Sequence, residues 1–175
     1  MDYFFNKNKL GTLFEMQITK QIVMKTTLKT ISLITTLFLI NACVSTRLTI
    51  KNIDDNAPSP VLVNKDQFLV TEYSSDKKYG YDPDYPINVF YKNTNDDNLN
   101  ANRFLNALAG PKGEAIFYTK IETCCPFPSK RTDMGAGLLD VYEISWKGQS
   151  KPVRLYLNIY EKGYLYIPLG FSIKK

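Results

Sequence analysis

The chain of 175 residues contains no histidine. Histidine is the commonest metal ligand and the usual general base near neutral pH. Its absence excludes a Ser-His-Asp triad and a Cys-His pair, and it would leave a zinc site to be completed by carboxylates. From the sequence we therefore assign no catalytic residue and no metal site, and we expect no cofactor.

Long hydrophobic runs are also absent. The most apolar stretch, Ile31 to Ile40, is ten residues long, or roughly 15 Å as a helix, about half of a bilayer core of ~30 Å. It follows Lys25 and Lys29 and is followed by Asn41, Ala42 and Cys43. A basic head, a short apolar region and small terminal residues are typical of an export signal.

The last four residues of this signal, Ile40-Asn41-Ala42-Cys43, resemble the lipobox of bacterial lipoproteins. In that family the cysteine receives a diacylglyceryl thioether and becomes the first residue of the mature protein. The resemblance implies export by the general secretory route and a lipid anchor at Cys43 that ties the chain to the membrane. Because Val44 follows the cysteine, with no acidic run behind it, the resemblance favours the outer membrane of the cell envelope.

The signal sets the domain organisation. Since export signals lie at the N-terminus, we interpret residues 1–23 as a misassigned upstream extension and place the start of translation at Met24. Residues 24–42 are then the signal peptide, and residues 43–65 are the lipidated cysteine and a polar tether rich in proline and aspartate. Residues 66–175 form one domain, which is long enough to bury a core.

Positive charge gives no sign of a nucleic-acid partner. Residues 1–42 carry five lysines against Asp2 and Glu15, which leaves 17 basic and 15 acidic residues in the remainder, a net charge of +2. Lysine and arginine never occur in runs longer than two. We therefore expect no binding to nucleic acid.

Hydrophobic periodicity predicts an α+β domain. Apolar residues at helical spacing predict a helix over residues 98–109, which ends at Gly110-Pro111. From there the period changes to two, most clearly where Val153, Leu155 and Leu157 alternate with polar side chains. We predict one antiparallel sheet of five or six strands with one short helix packed on it.

The C-terminal part of the sheet is predicted to be a hairpin, with a turn at Glu161-Lys162-Gly163. Six side chains then share its outward face and form a candidate binding face: Arg154, Tyr156, Asn158, Tyr160, Tyr164 and Tyr166. Tyrosine offers a large, rigid contact area with one polar end, which suits stacking on a sugar or docking of a protein. The alternative is a set of ordinary cross-strand tyrosine pairs or a second packed layer.

Two adjacent cysteines, Cys124 and Cys125, precede Pro126. If Cys43 is alkylated, an intrachain disulfide must join these two neighbours, and an exported chain meets an oxidising compartment. Three interpretations remain open: a vicinal disulfide that fixes a tight turn, intermolecular bridges or buried free thiols, and a redox or soft-metal role, for example copper(I) with Met134. We expect residues 124–137 to form one long loop.

Five segments between residues 79 and 173 resemble a group of small, uncharacterised bacterial lipoproteins. These segments are Tyr79-Gly-Tyr81, Arg103 to Leu108, Gly110-Pro111, Cys124 to Phe127 and Gly137 to Glu143. Some members of the group carry the label 2-dehydro-3-deoxyphosphooctonate aldolase. Enzymes of that name are cytoplasmic (β/α)₈ barrels of about 250 residues, and none of their catalytic residues maps onto this chain.

These observations favour a lipid-anchored envelope protein that is a non-enzymatic binding or scaffolding module. Its expected partners are the membrane, through the anchor, and an envelope protein or a glycan. One alternative is a thiol redox or soft-metal protein that uses Cys124 and Cys125. The other is an enzyme, with the aldolase activity implied by resemblance only.

Overall fold

The secondary structure is mostly short strands with one helix, in a computed structural model that describes residues 49–90 and 96–174. In chain order the elements are β1 (Leu62–Asn64), β2 (Gln67–Phe68), β3 (Ile87–Asn88), α1 (Leu99–Leu105), β4 (Leu108–Ala109), β5 (Ile116–Pro128), β6 (Ala136–Trp146), β7 (Val153–Asn158) and β8 (Ser172–Ile173). The predicted upstream extension, signal peptide and Cys43 lie outside the described residues. No helix within the described ranges is long and apolar enough to cross a membrane.

The central sheet has four strands in the order β3-β7-β6-β5. Strands β5, β6 and β7 are antiparallel neighbours, whereas β3 pairs with β7 in parallel. Two further pairs, β1 with β2 and β4 with β8, form separate two-stranded sheets. The α+β class is therefore confirmed, and the prediction of a single antiparallel sheet of five or six strands is wrong.

The predicted C-terminal hairpin does not form. Both edges of β7 are already occupied, by β6 on one side and β3 on the other, so residues 164–173 have no place beside it. They pair elsewhere: Ile167 makes a parallel bridge with Tyr73, and β8 pairs with β4. The pattern of period two in the sequence could not identify the partner strand of these residues.

Helix α1 is shorter than the sequence predicts. It ends at Leu105, because the next residues leave the helix to form β4, where Leu108 pairs with Ile173. The amide of Lys174 also donates to the carbonyl of Ala107, at 2.9 Å. The buried residues of the helix are Ala101, Phe104 and Leu105, and these are among the apolar residues whose spacing predicts the helix.

The main core lies between α1 and one face of the central sheet. Phe104 and Leu105 of the helix belong to one cluster with Ile144, Leu155 and Leu157 of the strands, all fully buried. Full burial of a side chain of this size contributes about 1.5–3 kcal/mol. This contact therefore holds the helix on the sheet.

A second, smaller cluster packs on the opposite face of the sheet, because Leu139 alternates with the residues of the main core. Ile50 and Phe127 are buried with Leu139, and Tyr156 and Tyr160 pack against them. Ile50 belongs to the segment that the sequence assigns to the tether. Residues 49–65 of this segment lie within the folded unit.

Cys124 and Cys125 form a disulfide, and both lie inside β5. The predicted loop of residues 124–137 is therefore wrong in its bounds, because the loop between β5 and β6 covers only residues 129–135. Cys125 has a φ of 57°, a left-handed conformation that is uncommon outside glycine. Cys124 pairs with Leu139 and Phe127 with Gly137, so the disulfide coincides with a bulge that adds one residue to β5.

The bulge decides where Phe127 points. One extra residue changes the alternation of the strand, so that Phe127 faces the same side as Leu139. Space for its ring exists because position 137 is glycine: a Cβ there would lie 2.5 Å from Phe127 Cζ and 2.8 Å from Tyr160 Cδ2. The rings of Phe127 and Tyr160 meet edge to face, with centroids 6.2 Å apart.

Replacing Tyr160 by alanine is expected to destabilise the protein by about 2 kcal/mol, somewhat less than the ~3–5 kcal/mol for a fully buried aromatic ring. The reason is the loss of its packing against the second cluster. Urea unfolding measures the change. The control is Tyr73→Ala, since this side chain is 53% exposed, and we expect it to stay within about 0.5 kcal/mol of the wild type. Equal losses in both variants would contradict the packing described.

Candidate binding site

A cavity of about 410 Å³ lies where three chain segments meet. Cavities of about 300–1,000 Å³ are typical of sites for small molecules. Its walls are formed by Asn52, Ile53, Asp54, Tyr73, Ser74, Ser75, Asp76, Tyr79, Tyr85, Tyr164 and Tyr166. We refer to it as the tyrosine pocket, because five of these residues are tyrosines.

Local turns bring Tyr79 and Tyr85 to the pocket. The carboxylate of Asp76 accepts a hydrogen bond from the amide of Lys78, at 2.8 Å. The amide of Gly80 then donates to the carbonyl of Tyr85, at 2.8 Å. Gly80 has a φ of +80°, which side chains rarely adopt, so glycine permits the chain to turn here.

Tyr79 is the anchor of the pocket wall and is only 5% exposed. Its hydroxyl donates to the carbonyl of Tyr164, at 3.2 Å, and accepts from the amide of Tyr166, at 3.1 Å. Burial raises the pKa of Tyr79 well above its usual value. The neutral hydroxyl can therefore make both hydrogen bonds, and these fix the segment that carries Tyr164 and Tyr166.

The tyrosine rings pack in a row. Tyr79 meets Tyr166 edge to face with centroids 5.7 Å apart, and Tyr166 stacks on Tyr164 at 6.3 Å with an interplanar angle of 24°. Tyr164 is 48% exposed and Tyr73, on the facing segment, is 53% exposed. The inner rings thus support Tyr164, and the side chains of both Tyr164 and Tyr73 remain open to solvent.

Backbone hydrogen bonds hold the two sides of the pocket together. The amide of Ser74 donates to the carbonyl of Ile167, at 2.9 Å. The amide of Ile167 in turn donates to the carbonyl of Glu72, at 2.8 Å. This parallel bridge fixes Tyr73 next to the segment of Tyr164. Main-chain hydrogen bonds therefore hold the two sides of the site in place.

Two carboxylates, Asp54 and Asp76, line the pocket. Oδ1 of each carboxylate accepts a hydrogen bond from the backbone amide two residues further along the chain. Asp54 accepts from Asn56 and Asp76 accepts from Lys78, both at 2.8 Å. These are Asx turns, which orient the carboxylate locally. The pocket consequently combines apolar ring surface with oriented hydrogen-bond acceptors.

Two lysines lie at the Tyr85 end of the pocket. The Nζ atoms of Lys51 and Lys78 are 5.5 and 5.3 Å from the centroid of the Tyr85 ring, within the range of cation–π contact. Lys51 also pairs with Asp84, at 3.1 Å, and Lys78 with Asp82, at 3.9 Å. The hydrogen bond to Asp84 raises the pKa of Lys51.

The six residues of the predicted binding face do not share one surface. Tyr164 and Tyr166 line the tyrosine pocket, whereas Tyr156 and Tyr160 pack against the second cluster. Asn158 is fully buried, and its Nδ2 donates to Asn88 Oδ1 at 2.9 Å. Arg154 is exposed and lies opposite Glu143 on β6. The physical reason is the missing hairpin, without which the two halves of the face separate.

Sequence reasoning missed most of the pocket. No sequence pattern assigns Tyr73 or Tyr79 to a binding site. The one signal that could have drawn attention to them is their density, with Tyr73, Tyr79, Tyr81 and Tyr85 within thirteen residues. Nothing local indicated that residues 52–54 would join them.

The disulfide lies apart from the tyrosine pocket. Cys124 and Cys125 are both half-buried, and Cys125 packs against the second cluster. This placement favours the interpretation of a disulfide that fixes local structure. Among the described residues, no group of three or more His, Cys, Asp or Glu side chains is placed to hold a metal ion.

Comparison of the chain with family models, with curated proteins and with solved structures gives no match.

Alkaline pH is expected to destabilise the fold through its buried tyrosines. Burial raises the pKa of Tyr81 to about 12 and that of Tyr142 to about 12, against about 10 in the unfolded chain. Between these values the unfolded state loses protons that the folded state keeps, so stability falls as the pH rises from about 10 to 12. Urea unfolding across this range measures the slope.

The variant Tyr81→Phe tests the origin of this slope. In the wild type the hydroxyl of Tyr81 donates a hydrogen bond to the carbonyl of Leu169. The variant lacks this hydrogen bond and therefore loses some stability at every pH. Its dependence on pH between about 10 and 12 should nevertheless be shallower, because one ionising group is gone. An unchanged slope would show that Tyr81 is not responsible.

Proposed function

We propose that the protein is a lipid-anchored component of the bacterial cell envelope, held at Cys43, and that it is a non-enzymatic module which binds a glycan in the tyrosine pocket. The observation that carries the binding proposal is the pair of open rings, Tyr73 and Tyr164, beside the carboxylates of Asp54 and Asp76. Aromatic rings accept the apolar faces of sugars, and carboxylates accept hydrogen bonds from hydroxyl groups.

The rigidity of the pocket supports binding. Tyrosine loses little conformational entropy when it is immobilised, and a site that is already ordered binds without a further ordering cost. The hydroxyl of Tyr79 and the backbone bridge at Tyr73 supply this order. The pocket is therefore suited to recognising a rigid, hydroxylated ligand.

The short distance along the chain to the anchor suits a ligand near the membrane. Seven Cα–Cα steps, across six intervening residues, separate Cys43 from Ile50, the first buried residue among those that the structure describes. Fully extended, they reach at most about 25 Å. With a lipid on Cys43, Ile50 would be held within this reach of the membrane surface.

Lipidation predicts how the protein partitions. Expressed in a bacterial host, the wild-type chain should enter the detergent-rich phase of a detergent phase separation, with a mass that shows removal of residues 1–42 and addition of a diacylglyceryl group. The variant Cys43→Ser should keep its leader and lose the lipid. The matched control, Cys124→Ser with Cys125→Ser, should partition like the wild type. Partition of the wild-type chain into the aqueous phase would refute the anchor.

Glycan binding predicts loss of affinity in two variants. The full-length chain in detergent micelles would be titrated by calorimetry with tetramers of glucose, N-acetylglucosamine and glucosamine as probes. Tyr73→Ala and Tyr164→Ala should each weaken binding about two- to tenfold, as expected for an aromatic contact of about 0.5–1.5 kcal/mol.

The control for this experiment is Phe117→Ala. Phe117 is an aromatic side chain on β5 that is 70% exposed and does not line the pocket. The affinity of the Phe117→Ala variant for whichever tetramer the wild type binds should equal that of the wild type. If no tetramer binds, or if all three variants bind like the wild type, the proposed glycan site is wrong.

A further inference from the structure

The charged side chains of the pocket wall are all negative. Its lining residues include two carboxylates, Asp54 and Asp76, and no lysine or arginine. Within the described part of the chain, Oδ1 of each carboxylate accepts one backbone hydrogen bond, and Oδ2 has no hydrogen-bond partner. Each aspartate can therefore still accept a hydrogen bond from a ligand.

The two lysines at the Tyr85 end of the pocket do not neutralise Asp54 and Asp76. Lys51 and Lys78 are each paired with a different aspartate, Asp84 and Asp82, at the Tyr85 end of the pocket. The two ion pairs are neutral as units, so these two lysines leave the negative charge of the pocket carboxylates in place. A field of this sign raises the local concentration of cations and disfavours anionic ligands.

The tyrosine rings add to the same preference. A ring face attracts an ammonium group within about 6 Å of its centroid. The protein already uses this contact, because both lysine Nζ atoms lie over Tyr85 at 5.5 and 5.3 Å. Tyr73 and Tyr164 present comparable rings to solvent, next to carboxylates that can make charge-assisted hydrogen bonds.

We infer that the saccharide recognised by the tyrosine pocket carries a free ammonium group, which lies against Asp54, Asp76 and the open tyrosine rings. This inference rests on the proposed function and names its ligand class. An N-acetylated sugar of the same shape has no positive charge and gains neither the carboxylate nor the cation–π contact. The pocket is therefore expected to distinguish the free amine from its acetylated form.

The test compares two probes that differ in this one group: the β-1,4-linked tetramer of glucosamine and that of N-acetylglucosamine. Calorimetry with the full-length chain in detergent micelles is done at mildly acidic pH, where the amine is protonated. We expect the glucosamine tetramer to bind about tenfold more tightly. The preference should decrease at high salt, because screening weakens a partly exposed charge contact.

The variant Asp54→Asn with Asp76→Asn should lose this preference. Asparagine keeps the side-chain oxygen that accepts the Asx-turn hydrogen bond, so the turns are retained while the charge is removed. Thermal unfolding checks that the double variant is folded. The matched control is Asp133→Asn, an exposed aspartate of the 129–135 loop, which should keep the full preference.

The outcomes separate the two proposals. Equal or tighter binding of the acetylated tetramer to the wild type overturns the ammonium inference and leaves glycan binding in place. A preference that survives in the folded Asp54→Asn, Asp76→Asn variant also overturns it, because the carboxylates would not be its cause. If neither these tetramers nor the glucose tetramer binds, the proposed function fails, and the inference fails with it.

Discussion

A chain of asparagine amides, two of them buried, holds the pocket to the sheet. Asn158 of β7 donates to Asn88 of β3, and Asn88 in turn donates to the backbone and side-chain oxygens of Asn52, at 2.9 and 3.2 Å. Asn52 donates onward to the carbonyl of Pro86, at 2.7 Å. Buried amides that lose a partner are costly, so these contacts strongly specify where residues 52–54 lie. One wall of the tyrosine pocket depends on them.

The same amides explain the limits of prediction for the fold. The sequence correctly indicated an α+β class, the buried residues Leu155 and Leu157, and the inward face of the helix, because each follows from local periodicity. It could not indicate that Asn158, on the polar side of that alternation, is buried by Asn88, seventy residues earlier. Periodicity reports which side chains share a face and says nothing about which strand lies alongside.

The candidate site was predictable only in part, for a related reason. Tyr164 and Tyr166 were identified as surface aromatics, and the structure places both in the pocket wall. Their neighbour Tyr79 is joined to them by hydrogen bonds across more than eighty residues of chain. A predicted hairpin instead grouped them with Tyr156 and Tyr160, which are neighbours in sequence but pack against the second cluster. Binding by any of these residues remains a prediction.

The two tyrosine groups are nevertheless connected through the segment that precedes the first strand. Ile50 packs with Phe127 in the second cluster, and two residues later the chain enters the pocket wall at Asn52. Phe127 reaches that cluster because the Cys124–Cys125 bulge reverses the alternation of β5. The disulfide thus contributes to the tyrosine pocket without lining it. It lies at the bulge, the bulge positions Phe127, and Phe127 shares the second cluster with Ile50, two residues before the pocket wall begins.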